Sequence, residues 1–498
     1  MCMEWNRTSK ALSQVAVDAV ILFVTDTLHL SKEGKLIDLR LNHYLSQLMD
    51  SEEITGRFEE CMLLHTRGEI AAQKVVLVGM GNEKKWSSQR FRQCVAIGAR
   101  KAQQSGVKEL AVSVPEFLEK RFGSADLVQA VVEGVELGCY ELPSYKQISR
   151  STGIQKVVFS EQTLSKTSIE VGMERGGVFA EASKKASTWC NEPSNHLTPT
   201  VLASYADEVA KRCGLEIDIV DKDRLEELNA HAFLAVAKGS AEPPKLIMLR
   251  YQGAPDDEEV LGLVGKGVTF DSGGLQIKPH EGMDKMKSDM SGAAAVLAAM
   301  DAIGTLKPHC NVVAVIVSCE NMTGSHAYRP GDVLSTMSGK TIEVTHTDAE
   351  GRVILADGLA YARKLGATKL VDIATLTGAA VVCLGREKTL MLGNDDTLLQ
   401  DVSVAAGLAG EPVWKFPLEE EYDYYLHSDI ADVKNEGGRA AGAIQGGVFL
   451  QHFVEDTPWV HLDIAGPAFS QKDSGIYRNG ATGAGTRTLI HLALQMGL

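Results

Sequence analysis

Four short stretches of this chain are almost wholly apolar: Leu246–Leu249, Val260–Val264, Val312–Val317 and Leu370–Ile373, the last broken only by Asp372. A strand with one wet face alternates apolar and polar residues, so runs without alternation belong to strands covered on both faces. Covering both faces takes helices. Ala293–Ile303 and Leu355–Lys364, which lie between the runs, have helical spacing. These features predict an α/β domain around a central mixed, mainly parallel sheet, from residue 191 to the end.

The rest of the chain needs a domain of its own. At 498 residues it exceeds what one core usually serves. Ala19–Val24, Val75–Val78 and Glu109–Val114 read as strands, and Ser87–Gln104 as a helix between the last two. That rhythm predicts a smaller N-terminal α/β domain over residues 1–165. Gly79-Met80-Gly81 lacks the third glycine of a dinucleotide turn and is read as a strand running into a loop. After Val157–Phe159, the polar stretch Ser160–Ser168 is a connection. Val171, Val178, Phe179, Ala182, Ala186 and Trp189 then recur at helical spacing. We expect a linker helix over residues 166–190, ended by Asn191–Asn195. Thr198 can cap the next helix, with Pro199 at its first position.

Composition excludes several classes. With a net charge of −15, the chain is poorly suited to binding a phosphate backbone. The nine cysteines are scattered and contain no C-x-x-C pair, which points to reduced thiols and a cytoplasmic setting. Val15–Val24 superficially resembles a signal sequence, but Asp18 interrupts it and no small-residue cleavage site follows; it is read as a strand. Leu370–Leu384 comes nearest to a membrane span and falls short of it. The acidic cluster Glu419–Asp423 is read as a solvated helix face.

The chemistry concentrates between Lys266 and Arg352. Lys266 follows Val260–Val264 at the end of a strand, where open α/β sheets gather functional groups. Asp271 sits in the Gly-rich loop beyond it, and Asp289 precedes a helix beginning near Gly292. Asp348 and Glu350 are two apart, so an extended segment would aim both the same way. The four carboxylates could then converge on one cavity, where a cation must offset their repulsion. Oxygen-rich ligation suits Mg²⁺, Mn²⁺ or Zn²⁺, and no H-E-x-x-H is present. Lys278 and Arg352 could stabilise developing negative charge. Any one of these residues alone would be read as a solvated charge. The set, embedded in Phe270-Asp271-Ser272-Gly273-Gly274 and Thr347–Arg352, would not. The pattern leaves the reaction open between hydrolysis and phosphoryl transfer.

Resemblance narrows that choice. Val264–Gly274, Ile277-Lys278-Pro279, Asp289-Met290 and His346–Arg352 resemble the leucyl (cytosol) aminopeptidase family. So do Glu320-Asn321-Met322, Arg329–Asp332, Ala374–Ala379 and His461–Gly466. These motifs span nearly the whole second domain, whereas the first, macro-domain-like in that family, matches loosely. The resemblance implies a dinuclear metallo-aminopeptidase that removes N-terminal residues, preferably Leu or other apolar ones, from short peptides. It implies one metal held by Lys266, Asp271, Asp289 and Glu350, and another by Asp271, Asp348 and Glu350. Mn²⁺ or Zn²⁺ is favoured, with Mg²⁺ or Co²⁺ as substitutes. Lys266 would then bind as a neutral amine, its pKa lowered by adjacent metal. Lys278 would polarise the scissile carbonyl, and Arg352 would anchor a bicarbonate general base. Met286, Thr375, Gly378 and Ala465 would line the pocket for the first side chain, and the backbone around Leu376 would bind substrate. The family's assembly implies a homohexamer, a dimer of trimers with its sites facing an inner cavity.

His346 departs from the family signature, which has Asn there. It is read as a substitute spacer near the leaving-group side rather than as a new ligand. Two other readings compete with catalysis: a DNA-binding regulator on the same scaffold, which the acidic balance disfavours, and a silent scaffold, which would have lost ligands.

Overall fold

The computed structural model describes residues 3–147, 153–161 and 164–497; residues 162 and 163 of the expected polar connection lie outside it. The chain divides into two compact units, Met1–Glu181 with Lys472–Asn479, and Ala182–Gln471 with Gly480–Leu498.

The first unit is built on six strands: β1 (Glu4–Thr8), β2 (Ala19–Thr25), β3 (Cys61–His65), β4 (Lys74–Gly81), β5 (Glu109–Ser113) and β6 (Lys156–Ser160). Their order is β1-β6-β5-β2-β4-β3, all neighbours parallel except the edge strand β3. Every residue of β2 is buried, which explains its unbroken apolar run and settles the Val15–Val24 stretch as mainly strand. Helices α1 (Ser88–Gln104) and α2 (Ser124–Gly138) pack together on one face of this sheet. Helix α3 (Lys166–Asn191) carries the chain onward.

In the second unit, α4 (Pro199–Cys213) begins as its sequence dictates, with Thr198 Oγ1 accepting from Val201 N and proline at its first position. The strands that follow are β7 (Glu216–Val220), β8 (Lys245–Gln252), β9 (Val260–Asp271), β10 (Asn311–Asn321), β11 (Val333–Ser335), β12 (Thr341–Glu343), β13 (Lys369–Ala374), β14 (Thr389–Gly393), β15 (Val413–Lys415), β16 (Val433–Lys434) and β17 (Trp459–Asp463). Eight form the main sheet in the order β15-β14-β17-β13-β9-β10-β8-β7. Its centre, β17-β13-β9-β10, is parallel, and β8 and β7 add antiparallel strands at one side. The four apolar runs lie in β8, β9, β10 and β13, three of them in the parallel centre. β11, β12 and β16 make a small separate sheet.

The helices of this unit include α5 (Ser291–Leu306), α6 (Glu350–Lys364), α7 (Gly378–Leu384) and α8 (Gly442–Gln451). The helical stretch Met283–Leu306 is long and apolar enough to cross a membrane, a segment the sequence reading passed over. Within its most apolar 18-residue window, 89% is buried inside the protein, as in a core helix. The Glu419–Asp423 cluster falls largely on a 3₁₀ helix, Glu420–Leu426, and its carboxylates are exposed. All eight cysteines among the described residues are free thiols.

Candidate metal centre

β9 is longer than its apolar run suggests. Lys266 lies in mid-strand and Asp271 ends it, correcting the expectation of a strand stopping at Val264. Beside it, a register shift in β10 between Cys319 and Glu320 sets Asn321 opposite Asp271. Asp289 follows the short 3₁₀ helix Met283–Ser288, directly before α5. Asp348 and Glu350 do not share an extended segment. Asp348 sits in a turn and Glu350 opens α6, so it is the turn, not strand alternation, that aims both inward. The convergence was anticipated; its local cause was not.

Carboxylate oxygens of Asp271, Asp348 and Glu350 all lie within 4.8 Å of one another. Two ammonium groups hold the set together. Lys266 Nζ reaches Asp289 at 2.9 and 2.8 Å, Glu350 Oε1 at 2.8 Å and the Thr375 carbonyl at 3.1 Å. Lys278 Nζ bridges Asp271 Oδ2 at 2.7 Å and Asp348 Oδ1 at 2.5 Å. Gly351 makes the first arrangement possible, because a Cβ there would come within 2.7 Å of Lys266 Nζ. Gly273, with φ +89°, turns the chain back beneath Asp348.

Burial and like charge oppose ionisation here. Asp289 is pushed up to about 8 by burial, with Asp271 and Glu350 adding to the rise, and Asp348 is pushed up to about 7 in the same way. Asp271 is also raised, by burial and by Glu350. Glu350 resists: burial raises it, but the Lys266 and Lys278 ammonium groups prevail and hold it below the usual range. Burial likewise lowers the two lysines, and their carboxylate neighbours outweigh it, so both stay firmly charged.

Three residues that sequence reasoning left without a role support the set. Asn321, fully buried, donates from Nδ2 to Asp271 Oδ1 (2.9 Å), to the Thr347 carbonyl (3.0 Å) and, weakly, to Glu350 Oε2 (3.5 Å). Thr347 Oγ1 donates to the Gly273 carbonyl at 2.7 Å, tying the two Gly-rich segments. Asp463 holds the Leu376 and Ala465 backbone N–H groups. The available signal was a polar residue at the end of an apolar strand, the position of both Asn321 and Asp463.

The residues expected on the substrate side lie in segments adjoining this centre. Thr375 Oγ1 donates to Asp289 Oδ1 at 2.7 Å, Leu376 follows it, and Gly378 starts α7 with open space around its Cα. Ala465 lies two residues beyond Asp463 in the loop after β17, and Met286 is half-buried in the 3₁₀ helix that leads to Asp289. Arg352, in the first turn of α6, is buried and donates from Nη1 to the Asn435 carbonyl at 2.8 Å. Its Nε has no hydrogen-bond partner, and among the described residues no carboxylate lies within ion-pair distance. His346 Nδ1 accepts from Asp348 N at 3.1 Å, closing a local turn as a side-chain amide oxygen would.

A buried cluster of oxygen donors, edged by a lysine and an arginine at the carboxyl ends of parallel strands, is the kind of centre that holds divalent cations in metal-dependent enzymes. Residues 184–490 match the cytosol aminopeptidase family, catalytic domain, and residues 21–149 match the N-terminal domain of the same family. The probable cytosol aminopeptidase of Alkaliphilus oremlandii is 43% identical over 489 residues, covering 97% of this chain and 98% of its own. That of Bacillus subtilis is 41% identical over 467 residues, 93% of each chain. A tomato leucine aminopeptidase mutant superposes with a TM-score of 0.90 at 31% identity, over 99% of this chain and 97% of that one. The bottromycin maturation enzyme BotP in complex with Mn gives a TM-score of 0.85 at 32% identity, over 97% and 100%. The chain belongs to the cytosol aminopeptidase family, and so is a metal-dependent aminopeptidase, a hydrolase.

Proposed function

We propose that this enzyme releases the N-terminal residue, preferably Leu or another apolar one, from short peptides in the cytoplasm. The observation that carries the reading is the meeting of Asp271, Asp348 and Glu350 within 4.8 Å around two lysine ammonium groups. The residues fit divalent metal: the donors are carboxylate oxygens, and the positions now neutralised by ammonium are those a cation would neutralise. Lys266, Asp271, Asp289 and Glu350 would hold one ion, and Asp271, Asp348 and Glu350 a second. Mn²⁺ or Zn²⁺ is favoured, Mg²⁺ and Co²⁺ being substitutes, and BotP's complex with Mn supports the first. Such ions supply Lewis acidity and lower the pKa of water.

The protein's own groups divide the remaining work. Lys278 is 19% exposed where Lys266 is 3%, so Lys278 is the ammonium group a substrate carbonyl can reach. It polarises that carbonyl and steadies the charge developing on its oxygen. Arg352 keeps an unpaired, buried positive charge, an arrangement that costs stability unless an anion completes it. We assign it the anchoring of a bicarbonate that serves as general base. Met286, Thr375, Gly378 and Ala465 shape the pocket for the first side chain, and the backbone at Leu376 aligns the peptide. We further propose residues 191–498 as the catalytic domain, joined by the helix at 166–190 to an N-terminal domain at 1–165, and a homohexameric assembly.

Lys278→Ala and Arg352→Ala test the roles. Each should lower turnover of leucyl-amide by at least about 100-fold, the scale of losing one electrostatic stabiliser. Circular dichroism and metal content should stay unchanged. Near-wild-type hydrolysis by both variants would refute the assignment.

A further inference from the structure

The segment Thr375–Thr377 is clamped from two sides. On one side Thr375 is bound to the metal-centre residues: its hydroxyl donates to Asp289 at 2.7 Å, and its carbonyl accepts from Lys266 at 3.1 Å. On the other side stands Asp463, at the end of β17 and 1% exposed. Its Oδ1 accepts from Leu376 N at 3.1 Å and Ala465 N at 3.0 Å, and its Oδ2 accepts from Thr377 Oγ1 at 2.7 Å. Thr377 Oγ1 in turn accepts from Ala380 N and caps α7. One carboxylate therefore fixes residues on both walls of the proposed substrate site.

Asp463 is costly to keep. Among the described residues no lysine or arginine lies within ion-pair distance of it. Burial raises its pKa, opposed by the neighbouring His461 and by the groups donating to it. A column of buried polar groups backs it. β13 and β17 pair Asp372 with His461 and Ala374 with Asp463, so His461 and Asp463, two apart, share a face. His461 Nδ1 lies 2.6 Å from Asp372 Oδ1, and Trp459 Nε1 donates to Asp372 Oδ2 at 2.7 Å. His461 and Asp372 are fully buried. The pair fixes the imidazole ring on the face it shares with Asp463.

We propose that Asp463 is a positioning residue for peptide hydrolysis. By holding the Leu376 and Ala465 N–H groups and the Thr377 hydroxyl, it sets where Thr375–Gly378 and Ala465 meet the peptide. This rests on the proposed function for what the site binds, though not for the clamp itself. Because Leu376 N–H is committed to Asp463, that group is not the one the backbone at Leu376 offers to substrate.

Asp463→Ala, Asp463→Asn and Thr377→Val test the proposal in the metal-loaded enzyme. Asp463→Ala removes three hydrogen bonds to a charged acceptor, so kcat/KM on leucyl-amide should fall about 30-fold, with a rise in KM carrying much of the loss. Asp463→Asn keeps an acceptor for both backbone N–H groups and should recover to within about threefold of wild type. Thr377→Val, the milder lesion should Asp463→Ala fail to fold, should lose about fivefold, with Thr377→Ser restoring it. Amide hydrogen exchange gives a readout free of turnover: Asp463→Ala, or Thr377→Val in its place, should exchange faster across residues 374–380, with metal content unchanged. The proposal is overturned if folded Asp463→Ala keeps kcat/KM within about threefold of wild type. It is also overturned if Asp463→Asn is as impaired as Asp463→Ala, or if exchange across 374–380 is unaltered. Inactive wild-type enzyme would instead defeat the aminopeptidase specificity proposed above, and the exchange measurement would still decide this one.

Discussion

Replacing Asn321 by Asp is the sharpest available test of how the centre is held together. The two side chains have nearly the same shape, so packing is preserved and only hydrogen-bond polarity and charge change. Asn321 Nδ2 now donates to Asp271 Oδ1 at 2.9 Å and to the Thr347 carbonyl at 3.0 Å. An aspartate would set acceptor against acceptor at both places. Losing a buried partner costs about 1–3 kcal/mol. A new negative charge some 4 Å from Asp271 adds about 4 kcal/mol of repulsion at an effective dielectric of 20. Protonation of one carboxyl relieves part of that, so a net loss of about 3–5 kcal/mol is expected in chelator-treated protein near neutral pH. Urea unfolding of the metal-stripped variant, followed by tryptophan fluorescence, measures it. Adding Mn²⁺ should narrow the gap, because a divalent cation compensates the extra carboxylate. A stripped Asn321→Asp protein within about 1 kcal/mol of wild type would refute the reasoning, since it would mean that Asn321 does not organise the carboxylates.

Two other outcomes follow from the geometry. His346→Asn should retain kcat/KM on leucyl-amide within about threefold, because an amide oxygen can accept from Asp348 N as Nδ1 does, whereas His346→Leu should lose about tenfold. Asp357, fully buried, accepts from Phe233 N and Met337 N, and burial pushes it up to about 7. Its folded pKa therefore exceeds its unfolded value near 3.8, so its contribution is full below that value and is lost as pH rises towards 7. The stability advantage of wild type over Asp357→Asn should shrink between pH 5 and pH 7.5 in urea titrations, and an advantage that grows would contradict this account.

Much of the fold was legible because strands buried on both faces cannot conceal their composition; β2, β8 and the first half of β10 are plain in the sequence. Where a strand turns functional, that signature fails. β9 continues through Lys266, Thr269 and Asp271, and the polar residues that make it useful disguise it as a loop. The clustering of the charged groups proposed to hold metal could be anticipated from their spacing and motif. Asn321 and Asp463 gave only the weaker signal of a polar residue ending an apolar strand, because each acts through a partner set by register: β10 opposite β9 for Asn321, and β17 beside the β13–α7 connection for Asp463. The Asp348–Glu350 turn was missed for a related reason. Two acidic residues two apart fit a strand as well as a turn leading into a helix, and spacing alone does not choose between them.

The charge count of the centre leads to a last consequence. Four carboxylates, Asp271, Asp289, Asp348 and Glu350, face two ammonium groups, Lys266 and Lys278, so full ionisation would leave two negative charges uncompensated. Protons make up the deficit: Asp289 and Asp348 are the two groups pushed up to about 8 and about 7. Divalent cations bound by the same oxygens must displace those protons, and the Lys266 proton too if its amine becomes a ligand. The sign is fixed by the raised carboxyl values. Below about pH 7 the site is protonated and cation binding must pay for deprotonation; above about pH 8 the carboxylates are already ionised. Apparent Mn²⁺ affinity of stripped enzyme should therefore climb steeply from pH 6 to pH 8. Calorimetry in buffers of differing ionisation enthalpy should show proton release near pH 7. Asp289→Asn should release fewer protons than wild type. Binding without proton release at pH 7 would mean that the carboxylates are already ionised, and that the two lysines alone do not account for the charge balance of this centre.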